Sequence, residues 1–155
     1  MNRRRDLIRM MAASGALGAA GVGGIVARAL AKGDLPPGVH QIEGTVSVNG
    51  RPAQVGTPVA LGDRVSTGRS SQAVIVVVGG DAMLMRAQTV IELKGREGVL
   101  SEMLITTGRV LSVFSKKPVA IKAASASIGI RGTGAYIEVD PGSVYFCLCY
   151  GEALV

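Results

Sequence analysis

Two cysteines, a single histidine and a spread of carboxylates are the side chains of this chain that could do chemistry. Cys147 and Cys149 fall in the run Tyr145-Phe146-Cys147-Leu148-Cys149-Tyr150. Residues two apart on a strand face the same way. Cys147, Cys149 and Tyr145 are therefore expected on one face, and Val144, Phe146, Leu148 and Tyr150 on the other. Two residues of strand put the cysteine Cα atoms roughly 6.6 Å apart, at the far end of disulfide range, and parallel Cβ vectors oppose closure. Several readings stay open: reduced cysteines buried as small hydrophobes, a disulfide to another chain in an oxidising compartment, metal or haem-type ligation, or a strained redox pair. A closed zinc site is tetrahedral and prefers thiolate and imidazole. Here the only imidazole is His40, which would approach Cys147 and Cys149 if the first and last strands paired.

Acid–base or nucleophilic catalysis finds little material. A nucleophile–His–acid arrangement would have to use His40. The carboxylates Glu43, Asp63, Asp81, Glu92, Glu138 and Asp140 fall on expected turns and strand faces, with no spacing that implies a pair. The glycines Gly21, Gly23 and Gly24 lie in the leader described next, so they form no phosphate loop. The expectation is a non-enzyme without a cofactor, a metal at Cys147 and Cys149 being the one exception kept open.

The elements that must position these residues begin with a removable N-terminus. Arg3, Arg4, Arg5 and Arg9 make a basic region, Met10 to Ala27 carry no charge, and Ala29-Leu30-Ala31 offers a small-residue cleavage site. Arg4-Arg5-Asp6-Leu7-Ile8-Arg9 resembles the twin-arginine export motif. Residues 1–31 are thus expected to be a signal peptide and the location periplasmic. The membrane would be touched only if this segment stayed uncleaved as an anchor. Five of the 17 basic residues and one of the 11 acidic ones lie in it, which leaves 12 and 10, a net charge of +2. So small a surplus is no footprint for nucleic acid, and no nucleic-acid partner is expected.

Residues 32–39 (Lys-Gly-Asp-Leu-Pro-Pro-Gly-Val) read as a linker. From residue 40 to residue 155 the chain offers short Val/Ile/Leu/Thr runs cut by Gly, Pro, Asn and Asp, the pattern of an all-β domain. Ile42–Val48 stops at Asn49-Gly50, a two-residue hairpin signal. Pro58–Leu61, Arg64–Thr67, Ala82–Arg86, Thr89–Leu93, Val99–Thr106, Gly108–Ser115 and Pro118–Lys122 follow as strands. Gln72–Val78 is a continuous apolar run, as in a strand buried on both faces. Ser143–Cys149 and Glu152–Val155 come last. About a dozen short strands predict either a two-sheet sandwich or a rolled, partly open barrel.

One segment between strands is unusual: Ser127-Ile128-Gly129-Ile130-Arg131-Gly132-Thr133-Gly134-Ala135-Tyr136. It reads as two short strands with a glycine-rich bend. Gly129, Gly132 and Gly134 would allow positive φ or close backbone approach. Arg131 would satisfy orphan carbonyls at the corner, or an acidic turn such as Asp63, with its fork of donors. The motif is read first as a fold device and second as a binding element.

This element follows Glu43-Gly44-Thr45-Val46, Gly62-Asp63-Arg64-Val65-Ser66-Thr67-Gly68, Ser71-Gln72-Ala73-Val74, Gly80-Asp81 and Thr107-Gly108-Arg109-Val110. Taken together, residues 40–155 resemble the FecR-type extracytoplasmic domain, named for the ferric-citrate regulator. The resemblance implies an envelope module that contacts a receptor or regulator protein and is linked to iron-responsive signalling. Regulators of that family also carry a cytoplasmic sigma-factor-binding segment and a C-terminal receptor-contacting domain. At most nine residues precede the apolar run and the chain stops at Val155, so a stand-alone FecR-like module is expected. Two alternatives stay beside it: a thiol- or metal-binding periplasmic protein using Cys147 and Cys149, and a structural or polysaccharide-binding envelope module.

Overall fold

A computed structural model describes residues 35–155; the expected signal peptide, with Arg4, Arg5, Ala29 and Ala31, lies outside the described residues, as does the start of the linker. Eleven strands follow in order: β1 (Gly38–Glu43), β2 (Val46–Val48), β3 (Arg51–Pro52), β4 (Arg64–Thr67), β5 (Gln72–Val76), β6 (Ala82–Met85), β7 (Val90–Arg96), β8 (Val99–Val113), β9 (Pro118–Ala123), β10 (Ala126–Asp140) and β11 (Ser143–Leu154). The described residues contain no helix. All the strands join one sheet that curls into a half-barrel, so the rolled alternative is the one adopted and the two-sheet sandwich is not.

The path β1-β5-β6-β8-β7-β4-β2-β3 accounts for eight strands; β9 and β10 branch from β8, and β11 pairs β10. Every pairing is antiparallel except β8 with β9. Local signals explain the short strands. Asn49 and Gly50 both take positive φ (53° and 77°), the pair of angles that a two-residue hairpin needs, and they join β2 to β3. The apolar run of β5 is buried from Ala73 to Val76 because β1 and β6 flank it and both faces are covered.

The two longest strands, β8 and β10, build the curl by changing partners half-way. On one side β8 pairs β7 through Val99–Thr107 and then β6 through Val110–Val113. Gly108, with φ 101°, stands at the joint. Strand β10 pairs β9 through Ala126–Arg131 and then β8 through Gly134–Val139. Its joint is Gly132, with φ 59°. The sequence pattern predicts two strands in each place, and the structure has one. The glycines bend the strands without ending them. The segment Pro58–Leu61, expected as a strand, is irregular: Pro58 has no N–H for a ladder, and the Ala60 N–H donates to the Asp63 carboxylate at 2.8 Å.

The core is aliphatic, with Ile75, Met83, Ile91, Ile105, Ile121 and Ile137 fully buried. At about 1.5–3 kcal/mol for each such side chain removed from water, this core stands without a disulfide. The methionines Met83, Met85 and Met103 belong to it.

Candidate functional site

The glycine-rich element lies at the β10 joint. Arg131 is exposed, and its Nε donates to the Lys116 carbonyl at 3.0 Å. Gly132 N–H donates to the Ser115 carbonyl and Phe114 N–H to the Thr133 carbonyl, both at 2.9 Å. Arg131 thus satisfies one carbonyl and not several, within a latch of backbone bonds between β10 and the segment after β8. Asp63 is not part of it. Its carboxylate accepts from Asn49 Nδ2 and Ala60 N–H, closing its own turn. Of the three glycines only Gly132 uses positive φ. Gly134 serves close approach: a Cβ there would sit 2.5 Å from the Tyr150 ring, which lies over it. Gly129 has only ordinary contact, with the Leu154 carbonyl 3.8 Å from where a Cβ would be. Thr133 is fully buried and its hydroxyl has no hydrogen-bond partner, so it is a packed residue and not an open binding group.

The cysteines stand on β11, and both are free and exposed. The expectation that they are buried hydrophobes is corrected: β11 has a neighbour, β10, on one side only. Nor do they share one simple alternating face. Cys147 pairs with Tyr136, but Leu148 pairs with Ala135 and Tyr150 with Gly134, so Cys149 is the extra residue of a bulge. Val144 and Phe146 pack on the core, and Leu148 pairs with the fully buried Ala135. Past the bulge, Tyr150 leaves that face and covers Gly134.

His40 is not brought to the cysteines. Strand β1 pairs β5 at the opposite end of the strand path, and β11 pairs β10, so the first and last strands do not meet. His40 is itself the extra residue between Val39 and Gln41, and its Nε2 lies 2.8 Å from the Pro36 carbonyl oxygen. Among the described residues, no three His, Cys, Asp or Glu side chains come together as a metal site.

The surface around β11 has a distinct character. From Ser143 to Gly151 it carries no charged residue, and Tyr145, Leu148, Tyr150 and Leu154 are all exposed. An open groove of about 810 Å³ runs beside it, lined by Pro118, Val119, Ile130, Leu148, Ala153 and Leu154 among others. Sequence periodicity could not reveal this groove, because its walls come from β9, β10 and β11 together.

A second cluster, also missed by sequence reading, lies across β8, β10 and β11. Glu138 is opposite Arg109 on β8 and Tyr145 on β11. Arg109 Nη2 reaches Glu138 Oε1 at 2.8 Å, and the Tyr136 hydroxyl donates to Oε2 at 3.1 Å. The Arg109 contact, helped by Tyr136, holds the Glu138 carboxyl below the ordinary carboxylate range. Partial burial, then the bond to Glu138, pushes the Tyr136 phenol up. Tyr136 and Tyr145 rings meet edge to face, with centroids 6.3 Å apart. Only the Tyr136–Glu138 spacing hinted at this in the sequence, since Arg109 comes from another strand.

Compared with protein-family models, with curated proteins and with solved structures, the chain gives no match.

Proposed function

We propose that this protein is an exported, FecR-like, non-enzymatic binding or signalling module of the cell envelope, and that it takes an extended protein segment along β11. The observation that carries the reading is the combination of a twelve-residue strand that is paired, among the described residues, on one side only and an apolar groove beside it. An added strand gains main-chain hydrogen bonds from such an edge, and alternate side chains find pockets in the groove. The link to iron-responsive signalling and to a receptor or regulator rests on the resemblance of residues 40–155 alone.

A photo-crosslinking residue at Leu148 or Ala153, both in the groove, tests this in living cells, with the exposed Val55 as control. Capture of a protein chain at both groove positions and not at Val55 is the expected result. Equal capture at Val55, or none at either groove position, removes the reading.

The thiol reading keeps one observation in its favour, the exposure of both cysteines. Replacing them together (Cys147→Ser with Cys149→Ser) leaves a binding module working and abolishes a thiol or metal protein's activity.

A further inference from the structure

We infer that Asn49 is a site of spontaneous deamidation, that the Asp63 carboxylate holds the reaction back in the folded chain, and that conversion releases the loop covering β1. The inference is independent of what β11 binds.

The chemistry starts from the dipeptide Asn49-Gly50. Gly50 has no side chain to crowd its nitrogen, and nothing lies within 4 Å of where its Cβ would be. That nitrogen can attack the Asn49 Cγ. One C–N bond forms, the side-chain nitrogen leaves as ammonia, and a cyclic succinimide results. Water then opens the ring at either carbonyl, giving aspartate, or isoaspartate with its longer main chain. No electrons are exchanged. Both residues of the turn are exposed, so water reaches them. The one other asparagine of the sequence is Asn2, which makes the product easy to assign.

The structure shows what restrains the attack. Asn49 Nδ2 donates to Asp63 Oδ1 at 2.8 Å, and Arg64 N–H donates to Asn49 Oδ1 at 2.9 Å. Both ends of the side-chain amide are thus tied at the start of β4, while the Asn49 N–H donates to the Arg64 carbonyl at 2.7 Å. Turning Cγ onto the Gly50 nitrogen breaks the side-chain bonds, which takes a local opening. The bond to Asp63 is the charge-assisted one of the set, and such bonds are the stronger.

Asp63 also explains the consequence. Its Oδ2 accepts from the Ala60 N–H at 2.8 Å and so anchors the loop between β3 and β4. The same loop covers β1, because the Thr57 carbonyl accepts from Val39 N–H and Gly56 N–H donates back to the Val39 carbonyl. Deamidation replaces the donor facing Asp63 by a carboxylate, and two carboxylates in one site repel. The isoaspartate product further lengthens a two-residue turn whose ladder is only Ser47–Pro52 and Val48–Arg51. A converted chain therefore loosens the loop, and the edge of β1 opens.

The test ages the full chain in mildly alkaline buffer, folded and in urea, and follows Asn49 by peptide mass mapping. Asp63→Ala is expected to convert about tenfold faster than the natural sequence, the worth of one charge-assisted hydrogen bond. Asp63→Asn keeps an acceptor and is expected to stay near the natural rate. Hydrogen exchange on the converted fraction should be faster at the Val39 and Gly56 amides and unchanged in β5. Circular dichroism checks that each variant folds. Where Asp63→Ala does not, the natural chain in urea stands in for it, with the same difference of about tenfold or more from the folded chain expected. A folded natural chain that converts as fast as Asp63→Ala, or as fast as the chain in urea, removes the hold. Unchanged exchange at Val39 and Gly56 after conversion removes the release of the loop. An Asn49 that stays intact even in urea removes the site.

Discussion

The two ends of the sheet treat the same problem in opposite ways. Strand β1 is an edge, pairing among the described strands only β5, yet its outer side is covered at Val39: Val39 N–H donates to the Thr57 carbonyl at 2.9 Å, and Gly56 N–H to the Val39 carbonyl at 2.7 Å. A bulge at His40 and the charge of Glu43 blunt it further. Strand β11 is twice as long, twelve residues against six, and no loop of the described residues covers it. It also lacks the lysines and prolines that commonly guard an edge. An unguarded edge of that length invites aggregation unless something pairs with it, so the contrast is between a covered boundary and an open one.

The comparison can be broken at its guarded end first. Gly38 has φ 143°, and a Cβ there would lie 2.9 Å from the Thr57 carbonyl oxygen. Gly38→Ala forces the covering loop off β1 and costs about 3 kcal/mol from strain and lost contacts. Urea unfolding would show the lower midpoint, and light scattering would show association through a second open edge. The next largest effect is on the other side. Gly151 has φ 95°, and a Cβ would meet the Gly132 carbonyl at 2.7 Å. Gly151→Ala costs about 2 kcal/mol and frays Glu152–Leu154 from Gly129–Arg131 while β1 stays closed. Hydrogen exchange by mass spectrometry would locate the change.

Without any substitution, the Val39 and Gly56 amides should exchange at least tenfold more slowly than the outward-facing amides of β11, about 1.4 kcal/mol of protection. Equal rates would mean that the two edges are not different after all. The smallest effect concerns the tie between β10 and β8. Glu138 sits below its ordinary value of 4.5 because of Arg109. Its contribution is therefore present above that value and lost as pH falls through the lowered one. Glu138→Gln should lower the urea midpoint slightly at pH 7 and leave it unchanged once the pH lies below both values.

Much of this molecule could be read in advance where the cause is local. Asn49-Gly50 dictates its hairpin, and the run of β5 announces burial on both faces. The all-β class follows from such pieces. What escaped is what distant partners decide. Nothing near Gly108 or Gly132 says whether a glycine ends a strand or lets it continue beside a new neighbour, because the answer lies in β6, β7 and β9. The bulge at Cys149 is set by its register against Gly134 and Ala135, so plain alternation misplaced Tyr150. Burial of the cysteines depended on whether another strand would follow β11 in the sheet, which alternation does not encode. At the Arg131 element the need for a carbonyl acceptor was legible, but its identity was not.

The long hairpin of β10 and β11 also has a mechanical side. Its turn is at Pro141-Gly142, and its open end is at Leu154, opposite Gly129. A pull on Val155 back toward the turn would load the Gly129–Leu154 pair first, then each bond in succession, so β11 would peel away at low force as a zipper opens. A pull along the strand would load the ladder together and meet far more resistance. A partner that grips the C-terminal end and draws it sideways could lift this strand off while the half-barrel behind it stays folded.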